Sequence, residues 1–174
     1  MTKIATQLLK PVRAPRGVTA LNLDILVFLC ANSRDDEVAQ YEALVGDWHP
    51  VTAASWLWHR GGVRAALLDN LGSPICAGGW YPVEEGIYQP WMVGTQAGWD
   101  YHWRDVHQFA RWMTEQVMAH PAGLRRLQMM APLSRPGALA WYERLGLERE
   151  AVLRRYARNG EDVALHARIL DPES

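Results

Sequence analysis

Tyr142, in the run "ALAWYERLGLERE" (residues 138–150), stands four residues before the glycine that should stop its helix. With an ordinary pKa of about 10, a tyrosine is protonated at neutral pH and can donate a proton to a leaving group. The plainer alternative is that Tyr142 only fills core beside Trp141. A partner base is harder to find. The expected strands "IYQPWMV" and "LRRLQMM" hold no acid and no histidine, which leaves the loop residues Glu84, Glu85 and His102, each also readable as plain surface. His102 and His107 are five apart, a spacing that a helix does not place on one face. Cys30 and Cys76 lie in apolar surroundings without metal-ligand spacing. No metal site is expected, and the thiols read as two buried cysteines of a reducing compartment.

The elements that must position these residues follow from period and punctuation. A short strand is expected at Val18–Leu21, and a helix capped by Asp24 through Ile25, Phe28 and Leu29. Ser33 and Asp36 have the spacing of a capping box, ahead of Val38, Tyr41, Leu44 and Val45 on one helical face, with Gly46 as the stop. Thr52 should cap a tryptophan-rich helix to about His59, broken by Gly61-Gly62. "VRAALLDNLGSPICAGGWYPV" reads as two strands about the turn Asp69–Gly72, followed by the strand "GIYQPWMVGT". Val106, Ala110, Met113 and Val117 recur at helical spacing from Trp103 to Met118, with His120-Pro121 as the stop. "LRRLQMMA" is a strand, Pro136 opens the helix that ends at Gly146, and two strands flank Asn159-Gly160. The order is strand, two or three helices, three strands, helix, strand, helix, two strands: an α+β protein with a mixed sheet and helices on both faces.

That order, together with "ALAWYERLGLERE", the closing hairpin "YARNGEDVALHARIL" and the strand pair "LLDNLGSPICAGGW", resembles the GNAT superfamily of N-acetyltransferases over roughly residues 18–170. The resemblance implies a mostly antiparallel sheet of six to seven strands, acetyl-CoA as acyl donor, an amine as acceptor, and Tyr142 as the acid that protonates the departing thiolate. It places the cofactor along Val93, Gly94, Thr95, Gln96 and Gly98, with Arg104 and Arg135 nearby. At the pyrophosphate site the sequence departs from the family's Gln/Arg-x-x-Gly-x-Gly/Ala pattern. In "TQAGWDYHWRD", Gln96 is followed at the glycine position by Trp99, and Tyr101 stands where a small residue belongs. Asp100, placed to cap the following helix, and Asp105 put negative charge at an end that should attract phosphate. Arg135 replaces the family's asparagine before the last signature helix. Acetyl-CoA binding is therefore expected to be weak or absent, with the enzyme frame intact.

Within the superfamily, the acidic stretch "SRDDEVAQYEALVG", the strand ending in threonine and the Trp141-Tyr142 pair resemble a divergent branch encoded by tailed bacteriophages. This implies an acetyltransferase of the host cytoplasm or, alternatively, a non-catalytic structural or internal virion protein.

The 174 residues suit one domain burying about 70% of its unfolded surface: a basic arm at 1–17, a domain at 18–170 and a tail at 171–174. No apolar run approaches the ~20 residues of a membrane span, and no signal-peptide core is present, so a cytoplasmic protein is expected. Residues 1–18 carry Lys3, Lys10, Arg13 and Arg16 and no acid, 19–102 are mainly acidic, and 103–170 are arginine-rich. The arm is suited to self-association or to an acidic protein partner. Nucleic-acid binding is disfavoured by the acidic half and the lack of a motif. Seven of nine tryptophans fall between Trp48 and Trp103. Those from Trp80 to Trp103 are expected to line one region of the sheet and the next helix, as core or as a partner surface.

Overall fold

The computed structural model describes residues 13–119 and 124–170. Its elements run β1 (Val18–Thr19), α1 (Leu23–Ala31), α2 (Asp35–Leu44), α3 (Pro50–Trp58), β2 (Val63–Leu68), β3 (Pro74–Glu84), β4 (Ile87–Gly94), α4 (Gln96–Met118), β5 (Arg126–Pro132), α5 (Pro136–Arg144), β6 (Glu148–Leu153) and β7 (Val163–Ile169). Among the described residues the strands form one sheet in the order β1-β2-β3-β4-β5-β7-β6. Every pairing is antiparallel except β4 with β5. The α+β architecture with a mostly antiparallel sheet is as expected.

Alternation along the strands feeds two cores. On one face α4 contributes Val106, Phe109, Met113 and Val117 against Leu127 and Met129 of β5, joined by Tyr142 and Leu147. On the other, Leu26, Leu29 and Cys30 of α1 and Ala53, Ala54 and Leu57 of α3 pack on Ala66, Ala77, Tyr81, Trp91 and Val93. Trp80 belongs to the first core and Trp91 to the second, so the tryptophans do not line one region: neighbouring strand positions face opposite sides of the pleat. Cys30 and Cys76 are buried and unbridged.

Helix starts differ from the expectations. Asn22, not Asp24, caps α1, its extended backbone letting Oδ1 accept from the Ile25 N–H at 2.8 Å. Arg34 is the N-cap of α2 without a side-chain bond, while the Ser33 hydroxyl donates back to the Leu29 carbonyl at 2.9 Å. Pro50 opens α3 ahead of Thr52, its fixed φ suiting the first turn. Thr95, not Asp100, caps α4, which begins at Gln96 and kinks at His102, where φ is −123° and ψ 20°. Asp69 Oδ1 accepts from Leu71 and Ser73, both at 2.8 Å, and makes the β2–β3 turn as expected. The β6–β7 connection is a loop over 154–162 rather than a tight Asn-Gly turn, with Gly160 at φ 79° and Arg155 at φ 52°. The expected stop at His120-Pro121 lies outside the described residues, as do 1–12 and the tail.

Candidate active site

The parallel pairing of β4 and β5 is confined to Ile87 with Arg126 and Tyr88 with Leu127. Beyond Tyr88 the two strands part, and the gap opens into a cavity of about 820 Å³. Among the elements that line it are α2 with Asp36, Glu37 and Gln40, β4 with Trp91 and Val93, α4 with Trp99, and the α5 region with Arg135, Trp141 and Tyr142.

Glu37 ties α2 to the end of β4 and the start of α4. Its Oε2 accepts the Gly94 N–H at 3.0 Å and its Oε1 accepts the Trp99 indole N–H at 2.7 Å. Desolvation pushes its carboxyl up to about 7; the two N–H donors and the Arg135 charge oppose that shift without cancelling it. A group with such a pKa can take or release a proton near neutrality. The bases expected in loops are elsewhere: Glu84 and Glu85 are exposed at the β3–β4 turn, and His102 lies 3.5 Å from Asp105 at the kink. None of these three lines the cavity. Glu37 was missed because "DDE" reads as the acidic first turn of a helix. The signal lay in spacing, since Glu37, Gln40, Tyr41 and Leu44 fall at i, i+3, i+4 and i+7, one helical face.

Tyr142 is buried at the far side of the gap. Its hydroxyl donates to the Met130 carbonyl at 3.3 Å and receives the Gln40 amide at 3.4 Å. Desolvation raises its pKa, so the phenol stays protonated at neutral pH. Arg135, the N-cap of α5, donates to Gln40 Oε1 and, at 2.6 Å, to Asp36 Oδ2. Arg34 donates to that same oxygen at 3.0 Å. Behind Tyr142 lies His166, buried, edge-on to the phenol at 5.7 Å and 3.8 Å from Glu143. Burial lowers its pKa and keeps it neutral.

Of the expected cofactor residues, Val93, Gly94, Thr95, Gln96 and Gly98 are gathered where β4 meets α4, but polar groups of Gly94, Thr95, Gln96 and Gly98 are already engaged. Gly94 N–H is held by Glu37, and a Cβ on Gly94 would lie 2.8 Å from Trp99 Nε1. Ser33 forms an isolated antiparallel bridge with Thr95. The Thr95 hydroxyl accepts the Gly98 N–H at 2.9 Å. Gly98 has a packing role, since a Cβ there would meet the Ile75 carbonyl at 2.6 Å. The Gln96 amide donates to both Asp100 oxygens at 2.9 Å. Arg104 is exposed, 5.7 Å over the Trp103 ring, and does not line the cavity. Trp99 meets Trp141 edge-to-face at 5.4 Å, with the Arg34 guanidinium 5.3 Å from the Trp99 ring centroid. Trp141 is fixed in turn by its indole N–H, which donates to His107 Nδ1 at 3.0 Å. No group of three or more His, Cys, Asp or Glu able to hold a metal occurs among the described residues. Nor is any described helix long and apolar enough to cross a membrane.

No family model matches the chain, and no curated protein sequence does. Solved structures do. A ribosomal-protein-alanine N-acetyltransferase from Brucella melitensis superposes with a TM-score of 0.71 at 12% identity, covering 88% of this chain and 99% of its own. An N-acetyltransferase from Staphylococcus aureus Mu50 gives 0.67 at 10%, covering 88% and 98%. A GNAT-superfamily phosphinothricin acetyltransferase from Sinorhizobium meliloti, solved with acetyl-CoA, gives 0.64 at 14%, covering 88% and 87%. The chain has the GNAT fold over nearly all its described length.

Proposed function

We propose that this protein is an acetyltransferase-like GNAT protein in which the cofactor half of the cleft is closed by its own side chains while the acceptor half stays open. The observation that carries this reading is the Gly94 N–H, which Glu37 occupies under the cover of Trp99. A donor thioester lying along β4 would need that free edge. A pyrophosphate would need free N–H groups after it, whereas Trp99 N bonds Thr95 O at 3.1 Å within a helical turn and Gly98 N is capped. Acetyl-CoA therefore does not fit these residues in the family's manner, and no transfer step is drawn through it. What remains is an acid–base pair, Glu37 and Tyr142, facing one cavity.

The test is acetyl-CoA-dependent thiol release over a panel of primary amines, including an N-terminal alanine peptide. No release above the uncatalysed rate is expected. Saturable turnover that falls in Tyr142→Phe would overturn the reading and restore Tyr142 as the proton donor.

A structural or assembly role is the second reading, favoured by the exposed aromatics beside the closed cleft, Tyr101 at 81% and Trp103 at 51% exposure. Self-association through the basic arm and this surface, and the tailed-phage virion setting read from the sequence, belong to this alternative.

A further inference from the structure

The acceptor half of the cavity contains a cation, Arg60, that no carboxylate among the described residues neutralises. α3 ends at Trp58 and the chain reverses through Gly61 and Gly62, at φ 71° and 75°. Gly62 is pressed against β3 so closely that a Cβ would lie 2.0 Å from the Trp80 carbonyl. The reversal sets the Arg60 guanidinium over two rings of the cavity wall, 3.7 Å from the Trp56 centroid and 4.9 Å from that of Tyr81. Its neighbour Arg64 stacks similarly on Trp58 but gives an N–H to the Trp58 carbonyl. Among the described residues no carbonyl or carboxylate receives the Arg60 N–H groups. The other two arginines of the cavity, Arg34 and Arg135, are both bonded to Asp36.

Trp91, on the same face of the sheet, lines the same cavity. It is 7% exposed, and its Nε1 is buried with no acceptor among the described residues. A buried donor left unmade is costly, and ring stacking leaves the planar guanidinium fork free to bond in its own plane. Tyr41 and Trp48 extend the aromatic wall, meeting edge-on at 5.0 Å. Unpaired donors of fixed geometry on an aromatic-walled cavity call for an acceptor-only anion on a planar apolar body. With one unneutralised guanidinium, a carboxylate is the matching charge.

We propose that this half of the cavity binds an aromatic carboxylate, its carboxylate on Arg60 with Trp91 Nε1 donating to the same ligand, and its ring against the aromatic wall that Tyr41 and Trp48 extend. This rests on the acceptor half being open, and it is tested without any coenzyme, so its failure is separable from the fate of the cofactor reading.

The experiment is calorimetric titration of the full chain with phenylacetate, its neutral analogue phenylacetamide, and phenethylamine. Phenylacetate is expected to bind, with the amide about tenfold or more weaker and the amine not binding, since a charged hydrogen bond carries about that discrimination. Arg60→Met should weaken phenylacetate about tenfold or more, and Trp91→Phe, which removes only the N–H, a few-fold. Absence of phenylacetate binding, equal or tighter binding of the amine or the amide, or unchanged affinity in both variants would overturn the proposal. If Arg60→Met loses its circular dichroism signal, Arg60→Lys with Trp91→Phe decides. Weakened binding in both supports the site, and full retention in both refutes it.

Discussion

Glu37 sets two N–H donors against the loss of water around one carboxyl, and desolvation outweighs them. Because its folded pKa, about 7, lies above the unfolded value near 4.5, the folded state holds the extra proton between those pH values. The resulting penalty on stability is absent below the unfolded pKa and complete above about pH 7, with a size of roughly 3 kcal/mol. Denaturant melts of wild type and Glu37→Gln across pH 4 to 8 should therefore diverge, the wild type losing stability relative to the variant as pH rises; parallel curves would remove the buried charge. His166 has the opposite slope. Its folded pKa is depressed below the ordinary 6.5, so its contribution is complete above that value and fades as pH falls through it. His166→Gln should flatten the acid limb of the stability profile, measured in the same melts. Of these groups only Tyr142 was legible in the sequence, because its motif is local. Glu37 and His166 acquire their character from burial by residues far along the chain.

The start of α4 is the element that decides the cleft. Residues 96–102 carry no apolar period and two bulky aromatics, Trp99 and Tyr101, so the sequence reads as a loop opening a helix near Trp103. Thr95 also looks like the end of a strand, which hides its capping role. The helix nevertheless begins at Gln96, since Thr95 caps Gly98 and Gly98 fits against the Ile75 carbonyl. Thr95→Ala should cost about 1 kcal/mol of stability. Gly98→Ala should cost about 1–3 kcal/mol, because the obstacle is backbone and cannot rotate away. Thermal melts check both, and a Gly98→Ala protein of wild-type stability would mean that the glycine is not a packing position. The strands were legible for a simpler reason: β2, β3 and β4 are apolar runs bounded by Gly61-Gly62, Asp69–Gly72 and Gly86.

At the scale of the molecule, the sheet order and the parting of β4 from β5 create a cleft, and the same chain closes one half of it. Three segments distant in sequence meet there: Ser33 and Glu37 from α2 and its approach, Gly94 to Trp99, and Trp141. The departures in "TQAGWDYHWRD" set the expectation of an altered phosphate cradle, but nothing local in the sequence announces that Glu37 bonds the Gly94 N–H and the Trp99 indole. The arm is likewise only partly separate, for Pro15 is buried, Leu68 N–H bonds the Gly17 carbonyl at 3.0 Å, and Gln108 bonds the Arg13 carbonyl at 3.2 Å. Deleting residues 1–17 should therefore lower the melting temperature by several degrees, whereas a wild-type melting temperature would make that segment dispensable. The central claim, a cofactor cleft occupied from within, is tested most directly by calorimetric titration of acetyl-CoA into the wild-type chain. The account predicts no binding tighter than about 100 μM, and a dissociation constant of about 10 μM or below, with displacement of the Gly94 amide signal, would contradict it.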